Sequence, residues 1–239
     1  MDKNSFILEN LNHVEENIRI ACEKCNRNRE EVTLIAVSKT KPIDMITTAH
    51  LAGICNFGEN KVQEMCDKYE HFTSLNQSSI NWHMIGHLQT NKVKYLIGKT
   101  ALIHSVDSYK LACEIEKQAA KADCIVDILI EVNIAEEESK FGLSENEVIH
   151  LVKQVSELPH VRIKGLMTVA PYVVDSEENR PFFRKIKQLS VDIDNQNIDN
   201  VSVNILSMGM SGDYMVAIEE GATMVRVGTG IFGERNYNI

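Results

Sequence analysis

Short runs of apolar, often β-branched residues alternate along the chain with segments in which apolar residues recur every three or four positions. The first pattern is typical of strands buried on both faces, and the second is typical of amphipathic helices. The predicted strands span residues 32–38, 55–58, 81–86, 101–106, 126–134, 161–170, 202–209 and 223–228. Helices are predicted at 4–26, 42–53, 61–71, 91–97, 109–122, 145–158, 177–193 and 214–220, and a short tail follows the last strand.

Regular alternation of strands and helices predicts a parallel sheet, because each helix returns the chain to the same end of the sheet. Eight such strands favour a closed (β/α)8 barrel of the α/β class, here with an extra N-terminal helix. No linker or low-complexity tract divides the chain, so we expect residues 1–239 to form a single domain. An open, doubly wound sheet is the alternative that the strand count leaves open.

Composition and charge disfavour several classes of function. Lys and Arg number 25 against 34 Asp and Glu, and the formal net charge of −9 disfavours binding to nucleic acid. The longest early apolar run, residues 6–8, is too short for a signal peptide or a membrane span, so we expect a cytoplasmic protein without membrane contact. Cys22 and Cys25 form a CxxC pair, but no second pair completes a metal site, and we expect no metal.

The loops after the seventh and eighth predicted strands are rich in glycine. Their sequences are SMGMSGD at 207–213 and RVGTGIFG at 226–233. In a (β/α)8 barrel the functional site lies at the carboxyl ends of the strands, and phosphate groups bind at these two loops. Glycine lets the backbone N–H groups approach such a ligand closely. Either loop alone is consistent with an ordinary turn, but their coincidence predicts a phosphate site.

Lys39 ends the first predicted strand and, by alternation, shares a face with Ile35 and Val37. If that face points into the barrel, the ammonium group lies at the barrel mouth above an apolar floor. Desolvation would lower its pKa from about 10.4 and favour a Schiff base with an aldehyde. A strand-end lysine that extends into solvent is the alternative. Lys41 competes for the role, although the following Pro42 biases it towards the exit turn.

An aldehyde and a phosphate together describe pyridoxal 5′-phosphate (PLP), and Arg226 fits a third part of that molecule. If Arg226 faces the interior with Met224, its guanidinium donates a hydrogen bond to the pyridine nitrogen without transferring a proton. The ring is then a weaker electron sink than one paired with a carboxylate. A buried arginine paired with Glu131 or Asp213 is the alternative.

Six motifs lie at predicted strand ends along nearly the whole chain. They are AVSKTKP at 36–42, FGEN at 57–60, WHMIGHLQTNK at 82–92, GLMTVAP at 165–171, SMGMSGD at 207–213 and RVGTGIFG at 226–233. Together they closely resemble the family of pyridoxal phosphate homeostasis proteins. The resemblance implies a barrel like the N-terminal domain of bacterial alanine racemase, with PLP carried as a Schiff base on Lys39. Lys61 departs from the family pattern, in which an aromatic residue is more frequent after FGEN.

The same resemblance implies roles for the other site residues. The phosphate would be held by Ser211, Gly212, Gly228 and Thr229. Arg226 would face the pyridine nitrogen, and Asn60 would lie beside the ring. Lys140, in the turn after the fifth predicted strand, is either a secondary contact for PLP or a solvated loop lysine.

The sequence favours a carrier over an enzyme. Racemisation on this cofactor needs a base on each face of the substrate Cα, and Lys39 supplies only one. Tyr172 and Tyr237 can approach the mouth, but surface or packing roles suit both better, and we expect no second domain after the barrel to supply another base. We therefore expect a monomeric protein of vitamin B6 homeostasis that carries PLP and contacts apo-PLP enzymes transiently.

Three alternatives stay open at this point. One is a PLP-dependent amino-acid racemase or related lyase, and another is a phosphosugar barrel without a cofactor. The third concerns His83 and His87, whose HxxxH spacing suggests a metal pair. Because this segment is predicted as a strand running into a glycine turn, the two imidazoles would not share one helical face, and we expect them to position the loop.

Overall fold

The computed structural model describes residues 4–75, 79–135, 137 and 141–234, which contain a closed barrel of parallel strands. The strands, β1 to β8 in chain order, are Thr33–Val37, Asn56–Glu59, Asn81–Met84, Leu102–Val106, Val126–Val132, Val161–Thr168, Val201–Met210 and Met224–Val227. β1 pairs with β2 on one side and with β8 on the other, which closes the barrel. This closure confirms the predicted (β/α)8 barrel and excludes the open, doubly wound sheet.

Helices follow the strands and cover the outside of the barrel. The α-helices, α1 to α8 in chain order, are Ser5–Lys24, Ile43–Leu51, Val62–Ser74, Tyr109–Lys121, Glu145–Ser156, Arg180–Asp194, Tyr214–Glu219 and Thr229–Phe232. Short 3₁₀ helices occupy Arg29–Glu31, Thr90–Tyr95 and Ser176–Asn179. No helix within the described ranges combines the length and the apolar content that a membrane crossing requires.

Three segments differ from the predicted elements. The start of the helix predicted at 177–193 is the 3₁₀ helix Ser176–Asn179, and the α-helix begins at Arg180. The α-helix predicted at 91–97 is instead the 3₁₀ helix Thr90–Tyr95. This segment contains the β-branched residues Thr90 and Val93, which are weak helix formers, and such short connections favour the tighter 3₁₀ hydrogen bonding. The segment after β8, predicted as a tail, begins with the short helix α8.

The extra N-terminal helix α1 supports the last two helices. Its buried residues recur at helical spacing and are Ile7, Leu11, Val14, Ile18, Ala21 and Cys22. Asn10 donates a hydrogen bond from its amide to the carbonyl of Ile231 in α8, at 2.9 Å. Asn17 donates to the hydroxyl of Tyr214 in α7, at 3.0 Å. Because α7 begins directly after the loop at 207–213 and α8 lies within the segment 226–233, α1 holds both glycine-rich segments from outside the barrel.

The barrel interior changes from apolar to polar towards the carboxyl ends of the strands. Its lower part is filled by Leu102, Leu129 and Met167, packed with Val169, Ile205 and Met224. Side chains alternate along a strand, so residues two positions beyond members of this cluster share the inner face. They include His104, Ser207 and Arg226, all of which are buried. A polar layer therefore lies beneath the barrel mouth.

Candidate functional site

A cavity of about 400 Å³ opens at the carboxyl ends of the strands. This volume lies within the range of small-molecule sites, about 300–1,000 Å³. Predicted binding residues in its wall are Lys39, Ser211, Gly212, Arg226, Gly228 and Thr229. Asn60 does not line this cavity; it is half-buried, and a Cβ on Gly86 would lie 2.4 Å from its carbonyl oxygen. The structure thus brings the other predicted residues together and leaves Asn60 beside the loop after β3.

The loops after β7 and β8 form one cradle of backbone N–H groups. The Ser211 hydroxyl accepts hydrogen bonds from the backbone N–H groups of Gly228 at 3.2 Å and of Gly230 at 3.3 Å, which ties the two loops together. Within the described part of the chain, the N–H groups of Gly212 and Thr229 find no backbone acceptor. Unpaired N–H groups in a cavity wall are a typical anion site, so the cradle fits a phosphate.

Lys39 lies two residues beyond β1, and charged side chains hold the backbone on both sides of it. The carbonyl of Ser38 accepts a hydrogen bond from the Lys68 ammonium at 2.8 Å. The backbone N–H of Thr40 donates to the carboxylate of Glu64 at 2.6 Å. Thr40 has a φ of +62°, a left-handed conformation that β-branched residues rarely adopt. These contacts fix the path of the chain through Lys39.

Behind Lys39 lies an ion cluster of Glu59, Glu64 and Lys68, in which Glu59 and Lys68 are buried and Glu64 is partly exposed. The Lys68 ammonium lies 2.8 Å from Glu59 Oε1 and 2.7 Å from Glu64 Oε1. The Ser38 hydroxyl donates to the same Glu59 oxygen at 2.6 Å. Burial raises the pKa of Glu59, although Lys68 acts in the opposite direction. Lys68 is therefore the cation that opposes the effect of burial on Glu59.

Lys41, the alternative to Lys39 for the Schiff base, lies outside the cavity wall. Its ammonium donates to the carbonyls of Phe232, Gly233 and Glu234, each at 3.1 Å. These carbonyls end helix α8, and a lysine is favourable there. Lys41 does not line the cavity, whereas Lys39 does.

Arg226 is buried below the cavity and faces the barrel interior. Its Nη1 donates to the Ser207 hydroxyl at 2.7 Å, and its Nη2 donates to the carbonyl of Thr168 at 2.8 Å. The alternative of a direct ion pair with Glu131 or Asp213 is not found, since no carboxylate of the described residues lies within ion-pair distance of Arg226. Burial lowers the pKa of Arg226 to about 10, so it stays protonated at neutral pH.

Two residues of the cavity wall, Asn179 and Asp213, are joined by a hydrogen bond that no sequence pattern predicts. The Asn179 amide donates to Asp213 Oδ2 at 2.8 Å and to the carbonyl of Pro171 at 3.0 Å. The other Asp213 oxygen accepts from the backbone N–H of Met210 at 2.6 Å. This link joins the loops after β6 and β7. The sequence pointed to Asp213 only as an alternative partner of Arg226, and nothing in the sequence pointed to Asn179.

The histidines of the HxxxH segment separate in the structure. His83 is buried inside the barrel, whereas His87 stacks on Phe141 with ring centroids 3.8 Å apart and lies 3.6 Å from Asp107. The described residues contain no group of three or more His, Cys, Asp or Glu that is arranged for a metal ion. Tyr172 lines the cavity but is 97% exposed. Lys140 and Tyr237 lie outside the described residues.

A closed parallel barrel with a cavity at its mouth is the fold of the alanine racemase N-terminal domain, and the chain belongs to that family. The profile of that family matches residues 10–236. A solved alanine racemase from Clostridium difficile shares the fold with a TM-score of 0.74 at 14% identity, over 97% of this chain and 57% of that one.

Within this architecture the chain belongs to the family of pyridoxal phosphate homeostasis proteins. The member from Aquifex aeolicus is 47% identical over 96% of this chain and 98% of its own length. PipY of Synechococcus elongatus, solved with PLP bound, superposes with a TM-score of 0.82 at 32% identity. That match covers 95% of this chain and 100% of PipY.

Proposed function

We propose that this protein binds PLP at the barrel mouth through a Schiff base on Lys39 and acts in PLP homeostasis. One observation carries the proposal: the amine of Lys39, the N–H cradle and the Arg226 guanidinium meet at a single cavity. An aldehyde, a phosphate and a pyridine nitrogen are the groups that these three bind. The structure of PipY with PLP bound supports PLP as the ligand of this barrel.

Each residue has a task in this proposal. The Lys39 amine condenses with the aldehyde, forms a C=N bond and releases one water. The N–H groups of Gly212 and Thr229 donate to the phosphate. Ser211 accepts from Gly228 and Gly230, which leaves its own hydroxyl hydrogen for a phosphate oxygen. Arg226 donates to the pyridine nitrogen. The assignment of Asn60 to the edge of the ring rests on the family resemblance, since Asn60 does not line the cavity.

Absorption spectroscopy with two lysine variants tests this assignment. Purified protein mixed with PLP should show the visible band of a protonated Schiff base. Lys39→Ala should lose that band, and Lys41→Ala should retain it because Lys41 contacts the end of α8 instead. Loss of the band in Lys41→Ala with retention in Lys39→Ala would reverse the assignment. A colourless wild-type protein would instead favour a phosphosugar barrel.

We propose further that the protein carries PLP without catalysing a reaction on it. Racemisation requires a second base opposite Lys39, and Tyr172, the tyrosine in the cavity wall, is 97% exposed and poorly placed to act in a dry site. A protonated Arg226 at the pyridine nitrogen also weakens the electron sink that racemases and lyases use. Deuterium exchange at the Cα of a panel of amino acids should stay at the rate given by free PLP. Exchange at enzyme-like rates would establish a racemase or lyase.

The remaining proposals concern the molecule as a unit. We propose one domain over residues 1–239, a monomer in the cytoplasm, and transfer of PLP to apo-enzymes through transient contact. The continuous closed barrel supports one cooperative unit. Sedimentation should give the mass of one chain with and without PLP. The loaded protein should reactivate an apo-enzyme faster than it releases free PLP, and equal rates would exclude direct transfer.

A further inference from the structure

Four side chains connect Arg226 to the amino-terminal end of the barrel through unbroken hydrogen bonds. Arg226 Nη1 lies 2.7 Å from Ser207 Oγ, which lies 3.0 Å from His104 Nδ1. His104 Nε2 lies 3.0 Å from His83 Nδ1. His83 Nε2 lies 3.1 Å from Oδ1 of Asn56, the first residue of β2. We call Asn56, His83, His104 and Ser207 the histidine bridge.

The groups at the two ends of the histidine bridge fix the direction in which its hydrogen bonds are donated. A guanidinium only donates, so the Ser207 oxygen accepts from Arg226. At the other end Asn56 Oδ1 only accepts, and it also receives a hydrogen bond from Asn81 Nδ2 at 3.2 Å. His83 therefore donates from Nε2 to Asn56.

The positions of the remaining hydrogens follow from the chemistry of neutral imidazole, which has one N–H donor and one acceptor nitrogen. Since His83 donates from Nε2, its Nδ1 accepts, and His104 must donate to it from Nε2. The Nδ1 of His104 then accepts the hydroxyl hydrogen of Ser207. Every donor in the bridge points away from Arg226, and every acceptor points towards it.

Burial keeps both imidazoles neutral. It lowers the pKa of His83 to about 4. It also lowers the pKa of His104 well below its usual range, with further contributions from His83 and Arg226. A second proton on either ring would place two hydrogen-bond donors opposite each other in the bridge. It would also bring another cation close to Arg226. At neutral pH one arrangement of hydrogens therefore satisfies every contact.

We propose that the residues of the histidine bridge are positioning residues that hold Arg226 in the orientation required by a ligand at the barrel mouth. This inference deepens the proposed function, because it takes Arg226 to face the pyridine nitrogen. The bridge turns the Ser207 hydroxyl hydrogen away and presents the oxygen to Nη1, while the Thr168 carbonyl takes Nη2 at 2.8 Å. Two fixed nitrogens define the plane of the guanidinium, and hydrogen bonds in series reinforce one another.

Nuclear magnetic resonance of the full chain tests the bridge without any ligand. In protein labelled with ¹⁵N at histidine, both His83 and His104 should be neutral at pH 7 with the proton on Nε2. A charged ring, or a proton on Nδ1 of either ring, would overturn the proposal. The side chain of Arg226 should show restricted rotation about its Cζ–Nε bond.

Ser207→Ala tests the positioning role, with Ser190→Ala as the matched control. Both serines are buried, but the Ser190 hydroxyl donates to the Lys187 carbonyl within its own helix, α6, and not to a member of the bridge. Ser207→Ala should free the rotation of Arg226, shift the absorption maximum of bound PLP and weaken PLP binding by about tenfold, the effect of one hydrogen bond to a charged group. Ser190→Ala should change none of these.

The outcomes separate this inference from the proposed function. If wild-type protein binds PLP and Ser207→Ala shows unchanged Arg226 rotation, absorption and affinity, the positioning role is wrong and the proposed function stands. If wild-type protein does not bind PLP, the proposed function fails. The tautomers of His83 and His104 and the rotation of Arg226 still decide then whether the bridge holds Arg226.

Discussion

Charged side chains near Lys39 stabilise a backbone conformation that Thr40 alone would avoid. A β-branched residue at a φ of +62° is strained by about 1–3 kcal/mol and persists only where its surroundings impose the conformation. The hydrogen bonds from Thr40 to Glu64 and from Lys68 to Ser38 supply that constraint. Strain of this kind is typical of functional sites, which agrees with the proposed role of Lys39.

Lys68→Met should destabilise the fold strongly. The substitution leaves Glu59 buried without its cation, and breaking a buried pair in this way costs about 3–5 kcal/mol. Lys61→Met is the matched control, because Lys61 is exposed at the start of the same helix and should change stability by less than about 0.5 kcal/mol. Urea unfolding measures both. Equal, small effects would show that the ion cluster does not hold the segment around Lys39.

The buried His83 should make stability depend on pH. Its pKa is about 4 in the folded protein and 6.5 in an ordinary histidine, so the unfolded chain binds the proton first as the pH falls. The stabilisation from neutral His83 is therefore complete above pH 6.5 and is lost as the pH falls towards 4, by on the order of 3 kcal/mol.

Unfolding free energies measured between pH 4 and 6.5 test this dependence. His83→Gln should have a slope against pH that is shallower than that of wild type by up to about 1.4 kcal/mol per pH unit. His150→Gln, which removes an exposed histidine, should keep the wild-type slope. A wild-type slope in His83→Gln would mean that His83 is not held neutral.

At the scale of elements, the turn from β7 into α7 fixes the shape of the cradle. Gly209 has a φ of +89°, and a Cβ there would lie 2.6 Å from the Cβ of Ala217. Gly212, three residues further on, has open space around it and no positive φ. The two glycines therefore serve different purposes. Gly209 is required by the backbone of the turn, whereas Gly212 leaves open space in the cradle.

Gly209→Ala and Gly212→Ala should separate these purposes. Gly209→Ala combines backbone strain with a steric clash and should cost at least about 2 kcal/mol. Gly212→Ala should leave stability within about 0.5 kcal/mol of wild type. Thermal unfolding of both variants gives the comparison. A destabilisation by Gly212→Ala as large as that by Gly209→Ala would contradict this account of the turn.

Helix α1 shows how an element outside the barrel contributes to the site. It lies against α7 and α8 through Asn17 and Asn10, and these helices begin at the ends of the two cradle loops. The sequence predicted the helix α1, because its buried residues recur along one face. The sequence did not predict the packing partners of α1, since Asn10 and Ile231 are 221 positions apart.

At the scale of the whole molecule, local sequence patterns predicted the barrel. They did not predict the side-chain contacts between residues that are distant in the sequence. Alternating strand and helix periods are local, and the (β/α)8 architecture places the ends of β1, β7 and β8 at one mouth, so Lys39, Arg226 and the cradle could be predicted together. The link from Asn179 to Asp213 and the histidine bridge could not. His104 and Ser207 are 103 positions apart, and no local pattern states which side chains meet inside a barrel.

The central claim is that Lys39 is the residue that carries PLP. Borohydride reduction of the PLP-loaded protein converts the C=N bond to a stable amine, and peptide mass spectrometry then locates the modified lysine. We predict one pyridoxyl group per chain, on the peptide that contains Lys39, and no label there in Lys39→Ala. Modification of Lys41 or another lysine in place of Lys39, or no modification at all, would contradict the account.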